Sequence, residues 1–151
     1  MADCTFCSLI IRDNKAALVE TQNTIAIPNR YPAAKGHFLI MPKVHLEKLE
    51  DVIEYPWLVV ELLTLVKYVY KYLEISLNCT GYNLLANEGK SAGQTILHFH
   101  FHLIPTYGEK VSTRFSRKGE EKKEISTEDF YSLKKIFPDN LKYLKVEKEF
   151  K

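Results

Sequence analysis

The sequence predicts a single domain that mixes short β-strands with one long α-helix. Three observations lead to this class: short apolar runs bounded by turn residues, a long helical stretch at 57–77, and an ordinary globular composition. The 151 residues are 46% hydrophobic and 26% charged, which excludes a wholly disordered, collagen-like or coiled-coil chain. A chain of this length can bury a core without a disulfide framework.

The N-terminal part is predicted to contain a helical turn and a hairpin. Residues 4–12 are typical of a short helical turn or knuckle. Two short apolar runs at 17–20 and 24–28 predict strands, and Asn23 lies at the turn between them. A β-hairpin is therefore expected here.

The next strand follows a polar loop. The loop spans 29–36, the strand is predicted at 37–41, and Pro42 ends it because proline lacks a backbone donor. A short helix is then expected at 45–55, and Pro56 breaks it or begins the next helix.

The stretch 57–77 predicts the long helix. Its polar side chains recur at intervals of three or four residues and form only a narrow solvent-exposed stripe: Glu61, Thr64, Lys67, Lys71 and Glu74. A helix so broadly apolar is buried on more than one side. One side should face a sheet, and the other faces either a second subunit or the rest of one thick core. The charged residues within it argue against a membrane span.

The second half of the domain is predicted as two strands joined by a polar loop. Strand 82–86 leads into the glycine-bearing loop 87–93, and strand 97–104 follows, ended by Pro105. The chain then divides into a domain at 1–108 and a C-terminal extension at 109–151.

The extension carries bases and acids in alternation, which is typical of a solvated appendage. Ser126, three residues before Asp129, predicts the N-cap of a helix at 127–137, with Pro138 beyond it. The extension is expected to be partly helical and is a candidate for a mobile segment.

Charge and cysteine content limit the partners and the compartment. The formal charge of +2 gives no reason to expect nucleic acid or an acidic membrane as a partner. No apolar N-terminal stretch follows a basic run, so we expect no signal peptide and a cytoplasmic protein. The three cysteines should then be reduced thiols or metal ligands.

The most informative segment is 97–103, where apolar residues and histidines alternate. Side chains in a strand alternate faces, so four should point into a core: Leu97, Phe99, Phe101 and Leu103. The other face would carry three histidines: His98, His100 and His102. The row is either a metal-binding stripe, an exposed polar face or a reactive site, since histidine serves as nucleophile, general base and zinc ligand.

The loop before these histidines has the groups that bind phosphate oxygens. Gly89 and Gly93 leave backbone amides accessible, Gln94 has an amide side chain and Thr95 a hydroxyl. Two glycines in a loop are also ordinary turn chemistry. The direct link to the histidine segment favours a phosphate site.

The segment from His98 to Ile104 resembles the motif of the histidine-triad (HIT) family. The resemblance covers about residues 4–107, with each block in the family's order and spacing: Cys4-Thr5-Phe6-Cys7, the block from Lys35 to His45, Asn87-Glu88-Gly89 and Ala92-Gly93-Gln94-Thr95. It implies an α+β fold with a five-stranded antiparallel sheet, a long helix packed on the sheet, and a homodimer.

The resemblance also implies a nucleotide hydrolase of the prokaryotic type that acts at the α-phosphate. His100 matches the nucleophile, which would form a covalent nucleotidyl–histidine that water then hydrolyses to a nucleoside monophosphate. The implied substrate is a purine nucleotide, either a dinucleoside polyphosphate or a nucleoside phosphoramidate. Thr106 stands where these hydrolases usually have arginine.

Further residues match positions near the family's catalytic site. His102 would stabilise phosphoryl oxygens or assist the leaving group, and His37 is the other histidine near the site. His98, the first histidine of the motif, is counted with these catalytic residues as well as with the metal ligands. For His100 itself, one ring nitrogen should donate to a backbone carbonyl, which fixes the tautomer.

The resemblance also assigns substrate contacts. The phosphate would be bound by side chains and backbone of the loop segment: Asn87, Gly93, Gln94 and Thr95. Asn29 matches a position for the ribose hydroxyls at which one branch carries an acid. Ile27, with Ile25 and Leu39, either lines a base pocket or belongs to the core.

The pair Cys4 and Cys7 is ambiguous when taken alone. A redox dithiol would follow a strand of a βαβ unit, and nothing of that kind precedes Cys4. A zinc site needs two further ligands, and the resemblance implies His45 and His98, which would complete a structural Cys2His2 zinc. The alternatives are unused thiols. Cys79 is expected to be a small buried residue.

Other functions stay open. A zinc-stabilised dimer that binds nucleotides with little turnover would have nearly the same sequence. A nucleotidyl transferase is less favoured, because the sugar-nucleotide transferase branch replaces the third histidine by glutamine and this chain keeps His102. Nucleic-acid binding by the extension is unlikely on its mixed charge.

Overall fold

The computed structural model describes residues 4–12, 14–108 and 123–139. The remaining segments of the predicted extension lie outside the described residues. The helices and strands follow one another in this order: α1 Thr5–Arg12, β1 Val19–Glu20, β2 Thr24–Pro28, β3 Phe38–Pro42, α2 Leu49–Ile53, α3 Pro56–Leu77, β4 Gly81–Leu85, β5 Phe101–Thr106 and α4 Thr127–Ile136.

The strands form one antiparallel sheet of five strands in the order β1-β2-β3-β5-β4. This confirms the α+β class and the expected hairpin, in which Thr21 N–H donates to Thr24 O over 2.9 Å around Asn23. Because β5 pairs with both β3 and β4, it lies inside the sheet and not at an edge.

The long helix α3 lies across the sheet, as its sequence predicts. Proline is compatible with the first helical position, so Pro56 begins α3. Apolar side chains at helical spacing are fully buried in the main core: Leu58, Leu62, Leu65, Val69 and Leu73. Their burial provides the main contact between α3 and β1, β2, β3 and β5.

One residue of the expected solvent-exposed stripe of α3 is buried instead. Glu61 is 3% exposed, and its carboxylate accepts hydrogen bonds from the Thr21 hydroxyl and from the backbone and side-chain N–H groups of Asn23. The prediction was wrong for Glu61, because this turn of the helix meets the β1–β2 turn. A buried carboxylate with these donors is well solvated by the protein itself.

The histidine segment enters the sheet later than predicted. β5 begins at Phe101 rather than at residue 97, and Pro105 lies within it. Leu97 is 61% exposed instead of buried. The pairing of β3 with β5 stops at Ile40 and Phe101. The residues before Phe101 lie outside that ladder, and Phe99 N–H donates to Leu46 O over 2.6 Å.

The described part of the extension packs on the domain. Ser126 Oγ accepts a hydrogen bond from Asp129 N–H over 3.0 Å, which confirms the predicted N-cap of α4. Leu133 and Phe137 are buried in the same core as α3. This part is therefore not a solvated appendage, whereas the division of the chain after residue 108 stays a prediction.

Membrane insertion by a helix finds no support in residues 4–12, 14–108 and 123–139. None of the helices there has the length and apolarity that a membrane crossing requires.

Candidate active site and metal centre

His100 lies just before β5, 7% exposed, with one ring nitrogen fixed by the backbone. Its Nδ1 is 2.7 Å from the carbonyl oxygen of His98. A carbonyl only accepts hydrogen bonds, so Nδ1 carries the proton and Nε2 keeps its lone pair. Burial also lowers the pKa of His100, which favours the neutral ring. The expected backbone contact of His100 is confirmed.

His102 is paired with His37. Ala33 N–H donates to His37 Nδ1 over 3.0 Å, so a neutral His37 carries its proton on Nε2. That nitrogen lies 2.9 Å from His102 Nδ1. The proton of His37 therefore faces a lone pair on His102, and a neutral His102 carries its own proton on Nε2.

The environment keeps both of these rings neutral. Burial, followed by the neighbouring His102 and His100, lowers the pKa of His37 to about 3. Burial and then His100 lower the pKa of His102 to about 4. Near pH 7 the site therefore holds neutral imidazoles that differ in which nitrogen carries the proton.

Asn29 lies at the edge of this pair. Its Oδ1 accepts from Tyr31 N–H over 3.0 Å, which identifies the other amide atom as nitrogen. That Nδ2 is 3.2 Å from His37 Nε2, which already directs its proton to His102. The contact thus brings two donors together, so the Asn29 amide would gain from an oxygen acceptor placed beside it.

The loop after β4 carries the candidate phosphate contacts. β4 ends at Leu85, which pairs with His102, so the chain leaving β4 toward Asn87 runs beside the histidine segment. Asn87 is half-buried, Thr95 is exposed, and Gly93 has a φ of +92° that favours glycine.

Gln94 is turned into this loop rather than toward solvent. Gly89 N–H donates to its Oε1 over 2.9 Å, and its Nε2 donates to Glu47 O over 3.4 Å. Both ends of the amide are therefore used by backbone groups, which braces the loop. The sequence offered no signal for this role, because it depends on how close two distant segments lie.

Ile27 belongs to a second apolar cluster, between α1 and the sheet. It is buried beside other apolar side chains of β2, β3 and α1, including Ile25, Leu39, Met41 and Phe6. Ile27, Ile25, Met41 and Phe6 line a narrow crevice under α1 together with Leu9. Ile27 is thus a core residue in this arrangement and also a wall of the crevice.

Phe6 is a site residue that the sequence analysis did not single out. Its ring centroid lies 5.1 Å from that of His100 and 5.8 Å from that of His98, in edge-to-face geometry with both. The available signal was its position between Cys4 and Cys7, which ties it to any metal those cysteines bind.

Cys4, Cys7, His45 and His98 converge on one point. Their ligand atoms all lie within 4.8 Å of one another. His98 Nδ1 is 3.6 Å from each cysteine sulfur, and His45 Nδ1 is 3.2 Å from Cys7 Sγ. Donor atoms around a tetrahedral zinc lie roughly 3.3–3.8 Å apart, given bonds of about 2.0–2.3 Å. The two thiols and two imidazoles therefore fit a zinc ion.

The outer nitrogens of the two histidines are oriented for this role. His98 Nε2 is 2.8 Å from Pro42 O, and His45 Nε2 is 3.4 Å from a carboxylate oxygen of Glu47. Each contact holds the proton on Nε2 and leaves Nδ1 as the ligand atom. Burial and then Cys4 raise the pKa of Cys7 to about 11, a cost that a bound cation would offset.

A cavity of about 340 Å³ adjoins the cluster on the side of the loop. Its lining joins two of the cluster residues to the end of the loop: Cys4, Thr5, His45, Glu47, Thr95, Ile96 and Leu97. The candidate metal centre and the candidate phosphate loop are therefore neighbours in space.

Comparison with known proteins decides the family. The sequence model of the HIT domain matches residues 12–109. The chain belongs to the HIT family. It is similar to adenosine 5'-monophosphoramidase of Saccharomyces cerevisiae, with 39% identity over 110 residues that span 72% of this chain and 66% of the yeast protein.

Two solved HIT structures resemble the fold closely. A hypothetical histidine triad nucleotide-binding protein from Sulfolobus tokodaii shares 36% identity at a TM-score of 0.73, over 88% of each chain. A Zn-bound histidine triad family protein from Mycobacterium smegmatis shares 28% identity at a TM-score of 0.69, over 89% of this chain and 93% of that chain.

Proposed function

We propose that this HIT protein hydrolyses a nucleotide at its α-phosphate, with His100 as the nucleophile. The observation that carries the proposal is the 2.7 Å contact between His100 Nδ1 and the His98 carbonyl. It leaves the lone pair of Nε2 on a neutral, buried ring, which is the form a nucleophile needs.

The reaction proceeds in two displacements. Nε2 of His100 attacks the α-phosphorus, the bond from phosphorus to the leaving group breaks, and a nucleotidyl–histidine forms. Water then attacks the same phosphorus, the P–N bond breaks, and the nucleoside monophosphate leaves with His100 restored. Two displacements replace one harder step.

His102 supplies the complementary donor. Because His37 directs its proton at His102 Nδ1, the proton of His102 is on Nε2. We assign this N–H to the phosphoryl oxygens or to the leaving group, which needs a proton as it departs. His98 has both nitrogens engaged, so we assign it to the metal cluster rather than to the nucleotide.

The substrate proposal is a purine nucleoside phosphoramidate or a dinucleoside polyphosphate. The name of the yeast relative supports the phosphoramidate. Asn87, Gly93 and Thr95 would bind phosphate oxygens, and Gln94 would hold their loop in shape. Asn29 would meet the ribose, because a hydroxyl oxygen there could accept from its side-chain amide.

We also propose a structural zinc on Cys4, Cys7, His45 and His98. The donor distances and the Zn-bound relative support it. With four protein ligands the shell is closed, so the ion would tie α1 to the sheet and take no part in the displacement. The role of the zinc would be to stabilise the fold.

Two exposed features of the molecule support the proposed homodimer. β4 is an edge strand of the sheet, and Tyr82 on it is exposed. Val60 and Leu63 are exposed apolar residues of α3. A second copy would cover both the open strand edge and this apolar surface, which a soluble monomer rarely presents together.

The proposed chemistry can be tested by trapping the intermediate. The protein is mixed with adenosine phosphoramidate or diadenosine polyphosphate labelled at the α-phosphate, quenched in alkali, and examined for label on the protein. A labelled adduct that is absent in His100→Ala supports the proposal. Nucleotide binding without an adduct or released monophosphate would favour a binding protein. Transfer to an acceptor other than water would favour a transferase.

A further inference from the structure

Phe6 connects the proposed metal centre with the proposed nucleophile. Its side chain is 4% exposed and lies between the two cysteines of the cluster in sequence. The ring meets His100 at 5.1 Å with an interplanar angle of 80°, and His98 at 5.8 Å and 84°. One side chain thus touches both a candidate ligand and the candidate nucleophile.

The position of Phe6 depends on how α1 is held. An eight-residue helix is too short to be stable alone, so its contacts keep it in place. Two kinds of contact do so: the sulfurs of Cys4 and Cys7 beside His98 and His45, and the apolar packing of Phe6 and Leu9. The cysteines flank Phe6, so they fix the turn that carries its ring.

The ring of His100 needs a restraint besides its hydrogen bond. The contact of Nδ1 with the His98 carbonyl fixes one atom but leaves the plane of the imidazole free to tilt about it. A perpendicular aromatic ring at 5.1 Å limits that tilt. The tilt decides where the lone pair of Nε2 points.

We propose that Phe6 is a positioning residue through which metal occupancy controls the direction of the Nε2 lone pair of His100. With the cluster occupied, α1 is fixed, Phe6 packs against the imidazole, and Nε2 keeps one direction. Without the metal the first turn loosens and His100 samples several tilts. The inference rests on the proposed roles of His100 and of the zinc cluster, while its central claim concerns ring orientation rather than turnover.

The ring protons of the histidines report this orientation directly. In protein labelled with ¹³C,¹⁵N-histidine, the His100 signals are assigned by their loss in His100→Asn. Phe6→Leu should shift them by removing the ring current of Phe6, whereas Leu9→Ala, which changes the same apolar cluster without touching a histidine, should not. An unchanged circular dichroism spectrum shows that the fold is intact in each sample.

Zinc removal by a chelator then tests the coupling. It should move or broaden the His100 signals in the wild-type protein and add little further change in Phe6→Leu. An equal effect of zinc removal in both proteins would overturn the proposal, as would an equal shift in Leu9→Ala and Phe6→Leu. Cys4→Ser, a milder way to weaken the cluster, should reproduce the chelator's effect.

Kinetics separates this proposal from the proposed function. Phe6→Leu should lower kcat by about tenfold or more, with a smaller change in KM. The site still binds substrate when His100 Nε2 no longer points at the phosphorus. Cys4→Ser should lower kcat less in Phe6→Leu than in the wild type. Failure of the wild-type protein to form an adduct refutes the hydrolase, yet the NMR result still decides the coupling. A normal adduct with unchanged kcat in Phe6→Leu refutes the positioning role alone.

Discussion

The Nε2 atom of His37 lies 2.9 Å from Nδ1 of His102 and carries a proton directed at it. The direction follows from the other side of His37, where the backbone N–H of Ala33 occupies Nδ1 over 3.0 Å. A single backbone amide thus sets the tautomers of two histidines in sequence. The outcome is a donor N–H on His102, whose ring centroid lies 5.0 Å from that of His100.

Removal of the nucleophile should abolish turnover and spare binding. His100→Asn is expected to lower kcat on the order of 10⁴-fold or more, because the covalent route is lost. Nucleotide affinity, measured by calorimetry with AMP, should change little. Loss of the folded state in His100→Asn and in His100→Ala alike would show that the residue is structural.

Loss of the hydrogen bond from His37 to His102 should weaken catalysis without removing the nucleophile. His37→Phe keeps an aromatic ring but no proton for His102 Nδ1, so His102 is no longer held in the donor tautomer. We expect kcat to fall by about 10²-fold, while the adduct on His100 still forms slowly. His37→Gln, which can supply an N–H, should recover part of the rate. Equal rates in His37→Phe and His37→Gln would contradict this role of the hydrogen bond to His102.

The pair of His37 and His102 should make the free energy of unfolding depend on pH. The folded pKa values of about 3 for His37 and about 4 for His102 lie below the usual 6.5, so the unfolded chain binds more protons below pH 6.5. Their contribution is complete above about pH 6.5 and is lost as the pH falls toward 4 and 3. Urea unfolding of His37→Asn should show a smaller loss of stability between pH 7 and pH 4.5 than the wild type. Parallel profiles for the two proteins would count against the pair.

Zinc content should follow the cluster and not the third cysteine. The double variant Cys4→Ser, Cys7→Ser should lose the bound zinc and unfold at lower denaturant concentration, because α1 is no longer tied to the sheet. Cys79→Ala is the matched control, since Cys79 is buried outside the cluster. It should retain the zinc of the wild type by elemental analysis. A native protein without zinc would refute the assignment.

The proposed dimer should be sensitive to charge on α3. Leu63→Glu places a carboxylate on the exposed apolar surface of α3, and sedimentation should show a shift from dimer toward monomer. Tyr131→Glu changes an exposed aromatic residue on α4 and is expected to leave the dimer intact. An unchanged sedimentation coefficient for Leu63→Glu would exclude an interface through this face.

Several features could be predicted from local sequence. Strand β2 has the predicted limits, 24–28, because a short apolar run between turn residues has few other solutions. Helix α3 differs from its prediction by one residue, Pro56. The alternation from His98 to His102, read with the blocks around it, also indicated the HIT family, which the match over residues 12–109 confirms.

Other features depend on segments that are distant in sequence. Glu61 is buried because α3 crosses the β1–β2 turn, and Gln94 is occupied because its loop meets the backbone at Glu47. Leu97 is exposed because the pairing with β3 stops at Phe101, so this part of the chain lies outside the ladder. The sequence by itself determined the types of element and the inventory of reactive groups, since periodicity and residue chemistry are local properties. Only the tertiary structure decided which nitrogen of each histidine is free and that Phe6 lies against His100, because contacts across the fold set both.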